Sequence, residues 1–249
     1  MTTTHQLNDL GKRSVIMKQL EGKLALITGS ARGIGQKVAL ALAKEGCDII
    51  VHGRTMHNTK NTTELLKEFG VKVYTVCGEL SNPEEVERLI EDVNKIGAID
   101  ILYNNAAVMA TFMPIWEIPK EEWERMMQIN FYAPVRLCTV FAPKMKERGW
   151  GRIINLTTGM ENEPSLCTYS ISKAALDKYT KELAFELRKT GVLVNMLDPG
   201  WLKTDLGGPN ADHEVDTVIP GAIVPALATD ENFTAQFVRA QDYRGKSIS

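Results

Sequence analysis

Hydrophobic and polar positions along the chain alternate between two kinds of pattern. From Lys23 a short apolar run, KLALIT, leads into the glycine-rich turn GSARGIG and then into QKVALALAKEG, whose apolar positions recur at helical spacing. That is a strand, a turn and a helix. The unit repeats, with DIIVHGR (48–54) as a second strand, TTELLKEFG (62–70) as a helix ended by glycine, and VKVYTVCG (71–78) as a third strand. SNPEEVERLIEDVNKIG (81–97) opens on a capping Ser or Asn, a proline and two acids, all of which favour a helix start. IDILYNNAA (99–107) reads as a fourth strand, 120–149 as a long helix, GRIINLTT (151–158) as a strand, 169–191 as a second long helix, and VLVNMLDPG (192–200) as another strand.

Strands alternating with helices require right-handed crossovers, and hence a parallel sheet covered on both faces. The predicted fold is therefore α/β, a single-domain Rossmann-type doubly wound parallel sheet with helices on both faces, occupying 23–249. Gly207, Gly208, Pro209 and Asn210 break the pattern within a segment at about 200–225, which reads as a loop suited to cover a substrate. Residues 1–22, polar and mixed in charge, read as a flexible extension lying outside the fold.

Composition narrows the partners. With 29 basic and 31 acidic residues and a net charge of −2, no general field favours polyanions, so nucleic acid is not expected as a partner. Cys47, Cys77, Cys138 and Cys167 have neither zinc-site spacing nor the density of a disulfide scaffold, which makes a reducing, cytoplasmic setting the simplest expectation. No apolar run approaches the roughly 20 residues needed to cross a bilayer, and the N-terminus lacks the apolar core of a signal peptide. His52, His57 and His213 fall at a strand end or in loops, with no spacing that suggests a metal or a triad, and read as surface residues. The four tryptophans read as packing residues, with Trp201 also placed to touch a substrate.

In TGSARGIG, Gly29, Gly33 and Gly35 stand between the first strand and the first helix. There glycines let a backbone approach a pyrophosphate beside free helix N–H groups, although a tight turn also uses glycine for purely steric reasons. The TGxxxGxG spacing, NNAA at 104–107, Asn130, YSISK at 169–173 and PGWLKT at 199–204 occur in one order. In that order they resemble the short-chain dehydrogenase/reductase family over nearly the whole of 23–205. The resemblance implies a nicotinamide cofactor contacted by Gly29, Ala31, Arg32, Gly33, Ile34 and Gly35 in the turn, and by Arg54, Glu79, Leu80 and Asn105 beyond the next strands. Tyr169 and Lys173 would touch it from the helix, and Pro199, Gly200, Leu202 and Thr204 from the PG segment. Glu79 stands where the family usually has Asp. Asn105 either lines the adenosine ribose or merely braces the sheet.

An acidic residue at the end of the second strand would bond the ribose 2′-OH of NAD and repel a 2′-phosphate. Here Gly53 takes that place, Arg54 follows it and Arg32 lies in the turn, so two guanidiniums are expected to converge on the phosphate of NADP(H). Reduction of a carbonyl needs a hydride, a proton and a group that stabilises negative charge on oxygen. Tyr169 would donate the proton, its pKa lowered by Lys173 one turn along the same helix; the plainer reading of such a pair is a solvated helix face. By resemblance Lys173 also holds the nicotinamide ribose, Asn130 holds a relay water, and Thr158 stands for the family's active-site Ser, with Thr157 beside it and Ser165 the nearest serine. The expected activity is NADP(H)-dependent reduction of a ketone or aldehyde, or the reverse oxidation at a CH–OH group. A 3-oxoacyl-thioester reductase, a sugar or polyol dehydrogenase, and a non-catalytic NADP(H)-sensing protein remain as alternatives. Family members often form homodimers or homotetramers through the two long helices, here about 120–146 and 168–190.

Overall fold

The computed structural model describes residues 18–247. Six strands anticipated by the apolar runs are present: β1 (Leu24–Ile27), β2 (Asp48–Gly53), β3 (Val73–Cys77), β4 (Ile101–Asn104), β5 (Gly151–Leu156) and β6 (Val192–Asp198). Beyond them β7 (Leu202–Lys203) and β8 (His213–Glu214) make a separate two-stranded pair, and β9 (Phe237–Arg239) joins the main sheet. That sheet runs β3-β2-β1-β4-β5-β6-β9, and every neighbouring pair is parallel. The doubly wound expectation therefore holds. The seventh strand escapes the sequence pattern because it is three residues long and only its central Val238 is buried.

Helices α1 (Gly33–Lys44), α2 (Met56–Leu66), α3 (Pro83–Ile96), α4 (Lys120–Met127), α5 (Ala133–Arg148) and α6 (Cys167–Glu186) supply the outer layers. Successive strand residues point to opposite faces. Ile27, Ile49 and Val51 pack with Val38 and Leu42 of α1 on one side. Leu26, Ile50, Leu102, Ile153 and Val194 pack on the other with Leu89 and Val93 of α3 and Leu137 and Phe141 of α5. Each such buried side chain contributes roughly 1.5–3 kcal/mol relative to its exposed state, so both faces hold the sheet flat against its helices.

Four local expectations are corrected. The fold starts before Lys23, since Leu20 is buried in the α1-side core and its N–H donates to Glu45 O at 2.9 Å; a single leucine among polar residues carries no periodic signal. Residues 1–17 of that extension lie outside the described residues. Helix α2 begins at Met56 rather than Thr62 because Thr55, in extended conformation, accepts the Asn58 N–H at its side chain. The helix expected over 120–149 is interrupted by a wide π turn at Gln128–Tyr132. Pro134 has no N–H to give the carbonyl of Asn130, which removes one i to i+4 bond at that point. The segment at 200–225, read as loop, is pinned: β7 pairs with β8, Lys203 bridges Glu214 at 2.6 Å, Lys37 of α1 meets Asp216, and Trp201 Nε1 donates to Gly207 O at 2.8 Å.

Candidate active site

All the site elements meet at the C-terminal edge of the sheet, where strands end and the following turns diverge. Beyond β1, Gly29 and Gly33 have φ of +65° and +58°, the left-handed region that glycine adopts without strain. A Cβ on Gly29 would stand 3.0 Å from Ala106, so the turn is closed tightly against the β4 loop. Helix α1 begins after Arg32 with no side-chain cap and no acid in its first turn. Its first N–H groups and the positive end of its dipole are thus left for an anion from outside, which fits a dinucleotide pyrophosphate.

A cavity of about 900 Å³ opens over this turn. Gly29, Ala31, Arg32, Gly33, Ile34, Arg54, Glu79, Leu80, Asn105 and Thr204 all line it. Gly35 lies behind the turn, where an added Cβ would sit 2.6 Å from Gly29 O. Pro199, Gly200 and Leu202 are likewise outside the lining: the Pro199 carbonyl accepts from Gln241 at 2.9 Å, Gly200 N–H donates to Asp198 Oδ1 at 3.0 Å, and Leu202 is buried in β7. Asn105 serves both readings given for it, since it lines the cavity while its Nδ2 donates to Thr28 O at 2.8 Å and Gly29 O at 3.2 Å.

Gly53 has no room for a carboxylate, because a Cβ there would meet Thr59 at 2.8 Å. Arg54 is exposed at the cavity rim, whereas Arg32 Nε pairs with Asp205 Oδ2 at 2.9 Å across it. The expected convergence of the two guanidiniums is therefore incomplete in this structure, the nearer carboxylate having taken one of them.

His52 is not a surface residue. It is buried, its Nδ1 accepts the Gly29 N–H at 3.0 Å, and its Nε2 lies 3.0 Å from Gly78 O. Burial pulls its pKa down to about 4, against the opposing pull of the Gly78 carbonyl and Glu79. Its place at the end of β2 was legible in the sequence, but which way the ring turns was not.

On the other side of β4, Asn130 sits in the π turn and is fully buried. Its Oδ1 accepts from Val108 N at 2.9 Å, and its Nδ2 donates to Val108 O at 3.0 Å and Ser172 Oγ at 3.1 Å. The side chain expected to hold a water is thus spent on joining the β4 loop to α6. Tyr169 and Lys173, one turn apart on α6, are both buried, so the reading of a solvated helix face falls; neither is among the residues that line the cavity, although both were expected to touch the cofactor. Lys173 Nζ donates to Leu156 O at 2.7 Å, at the end of β5, and stands 5.8 Å from the Tyr169 ring centre.

The expected lowering of the phenol is also corrected. Burial pushes Tyr169 up to about 12, and the charge of Asp198 adds to the rise. Burial likewise pulls Lys173 down to about 8, with Asp177 opposing. Asp198, the acid immediately before the PG turn, was missed; its own pKa is raised by burial, and its Oδ2 lies beneath Gly159, 2.7 Å from where a Cβ would stand. Thr158 is half-buried beside this loop, its Oγ1 accepting the Met160 N–H at 3.2 Å, while Ser165 turns its hydroxyl to Glu163.

No group of three or more His, Cys, Asp or Glu side chains that could hold a metal ion occurs among the described residues, and none of their helices is long and apolar enough to cross a membrane.

The sequence model of a family described as "short chain dehydrogenase" matches residues 23–215. "Dehydrogenase/reductase SDR family member 4" of Bos taurus is 37% identical over 189 residues, which cover 74% of this chain and 67% of that protein. "Uncharacterized oxidoreductase YvrD" of Bacillus subtilis (strain 168) is 36% identical over 226 residues, 90% of this chain and 82% of that one. Among solved structures, a gluconate 5-dehydrogenase from Burkholderia cenocepacia J2315, in complex with NADP and tartrate, superposes with a TM-score of 0.80 at 26% identity, covering 90% of this chain and 95% of the other.

Proposed function

The chain belongs to the short-chain dehydrogenase family, and from that premise we propose that it is an oxidoreductase that reduces a ketone or aldehyde with NADPH. The observation that carries the reading is the placement of Tyr169 and Lys173 on one buried face of α6, at the same sheet edge as the glycine cradle and its cavity. When bound, the nicotinamide supplies or accepts the hydride. Gly29, Gly33 and the start of α1 would hold the pyrophosphate, Arg54 at the rim would meet a 2′-phosphate, and Thr204, which lines the same cavity, would bind the nicotinamide carboxamide.

Tyr169, protonated throughout the neutral range, gives its proton to the substrate oxygen as negative charge builds there. Lys173 remains an ammonium below about pH 8, fixed by Leu156 O, and offsets negative charge on the phenol oxygen. Asn130 positions α6 against the β4 loop through Ser172 and Val108. Thr158 offers its hydroxyl to the same substrate oxygen. The exposed side chains of Tyr132 beside α5 and of Ile171 and Phe185 on α6 support assembly as a homodimer or homotetramer through these helices, and the free cysteines suit a reducing cytoplasm.

A panel of ketones, aldehydes, sugars and acyl thioesters assayed with NADPH and NADH tests the reading. Turnover confined to sugars or thioesters would transfer the chain to one of those substrate classes, and cofactor binding with no turnover anywhere would make it a sensor. Cofactor titration adds a sharper test: NADPH is expected to bind more tightly than NADH, and Arg54→Asp to weaken NADPH by about 10-fold or more, because a charge-assisted contact is lost and a like charge gained. Equal affinities for both cofactors in the unmutated protein would sink the NADP(H) assignment.

Thr158→Val keeps the shape of the side chain and removes its hydroxyl, so turnover is expected to fall about 10-fold or more, whereas Thr158→Ser retains it. A Val variant working at the normal rate would show that another donor serves the substrate oxygen.

A further inference from the structure

The turn after β1 and the loop after β3 form opposite walls of the cavity, and the end of β2 lies between them. Gly29 belongs to the first wall, and Gly78 immediately precedes Glu79 and Leu80 of the second. The regular ladder stops nearby, at Ile27 with Val51 and at Gly53 with Cys77. From one residue before the last β2–β3 pair, the imidazole of His52 is a side-chain link that touches both walls, through the Gly29 N–H and the Gly78 carbonyl, beside the backbone bond from Gly78 N–H to Gly53 O at 3.3 Å.

The partners decide the tautomer. Gly29 N–H can only donate, so Nδ1 carries no hydrogen; Gly78 O can only accept, so Nε2 carries one. An imidazolium would set N–H against N–H at Gly29, and the ring's complete burial keeps it neutral. The backbone of His52 is held as well, its N–H by Ser30 Oγ and its carbonyl by Ser30 N–H, both at 3.0 Å. The backbone that carries the ring is thus tied to the turn, and a ring swung aside would leave the Gly29 N–H and the Gly78 carbonyl without these partners.

From this geometry we infer that His52 is a positioning residue for the dinucleotide, setting the separation and orientation of the glycine turn and the Glu79–Leu80 wall. Nothing in its contacts reaches the reacting end of the site, where Tyr169 and Lys173 stand. Its influence falls on cofactor affinity before rate. The inference rests on the dinucleotide-binding reading of the cavity.

Three variants separate the two bonds. His52→Leu removes both. His52→Asn places a carbonyl oxygen where Nδ1 stands and retains the bond to Gly29, while His52→Gln extends an amide to the Nε2 position and retains only the bond to Gly78. KM for the nicotinamide cofactor is expected to rise about 10-fold or more in the Leu variant, the loss of satisfied partners at two buried backbone groups, with a much smaller fall in kcat. Asn is expected to recover most of the affinity, because Gly29 belongs to the turn that would cradle the pyrophosphate, and Gln little of it. Loss confined to kcat at unchanged KM would mark a fraction of misfolded enzyme and overturn the inference. Should the Leu variant fail to fold, the contrast decides alone: equal affinities for Asn and Gln overturn the inference. An unmutated protein that binds neither NADPH nor NADH, followed by nicotinamide fluorescence, would instead defeat the dinucleotide reading itself, so the two failures are distinguishable.

Discussion

Replacing Tyr169 with phenylalanine is expected to lower turnover by about 10²-fold or more, the lower range for loss of a positioned general acid, equivalent to about 2.7 kcal/mol of barrier. The substitution deletes one oxygen from a ring that is 6% exposed and packed against Met126 and Leu166, so the fold and the cofactor affinity should survive it. Steady-state kinetics and a cofactor titration on the same preparation check both parts. Undiminished turnover would remove Tyr169 from the mechanism, and a protein that never turned over would leave only the sensor reading.

The pH dependence follows from the same groups. With the phenol at about 12, proton donation to a carbonyl oxygen needs no prior titration, and reduction should run level through neutral pH. It should then decline as pH rises through about 8, where Lys173 loses the charge that offsets a forming phenolate. Oxidation of the alcohol runs through the phenolate, which burial and Asp198 disfavour in the free protein, so that direction should gain with rising pH. A reduction rate that increased from pH 7 to pH 9 would contradict this assignment of donor and cation.

Gly35→Ala is expected to damage binding as severely as Tyr169→Phe damages chemistry. Gly35 is the third residue of α1, and its φ is not in the left-handed region, so a side chain is excluded by space alone. A Cβ would lie 2.6 Å from Gly29 O and 2.8 Å from Ser30 Cα, both backbone, as well as 2.5 Å from Asn105 Nδ2. Backbone cannot step aside as a flexible side chain does. Overpacking of this kind costs roughly 1–3 kcal/mol, and here the strain falls on the glycine turn itself. Displacement of that turn should weaken cofactor binding by up to about 10²-fold, with Tm lowered by several degrees. Calorimetric titration with NADPH measures the first and thermal unfolding the second. Affinity within twofold of the unmutated protein would show that the turn does not hold the pyrophosphate.

Much of this site can be traced to local sequence signals, because the physics behind them is local. Asn82 caps α3 by accepting the N–H of Glu84 at 2.9 Å, with Pro83 opening the helix, as the residues SNPEE require. The same holds for the glycine turn, whose positive φ values at Gly29 and Gly33 are available to those residues without help from the rest of the chain. Strand β9 lay beyond such signals, as did the start of α2, where one threonine cap outweighs a weak apolar pattern.

By itself, then, the sequence determined the alternation of strands and helices, the parallel sheet, the cradle, and the pairing of Tyr169 with Lys173 one turn apart. The alternation, the cradle and the Tyr169–Lys173 spacing each depend on residues within a few positions of one another, and the parallel sheet follows from the alternation through the crossovers it requires. Only the tertiary structure decided that the phenol rises instead of falling, since Tyr169 owes its pKa to burial and to Asp198, 29 positions away. It also decided that Arg32 faces Asp205, that Asn130 is spent on Val108 and Ser172, and that His52 turns inward between Gly29 and Gly78. The reason is common to all four. A side chain's charge state and hydrogen bonds are set by what surrounds it in space, and at the edge of a parallel sheet those neighbours come from strands and loops far apart in the chain.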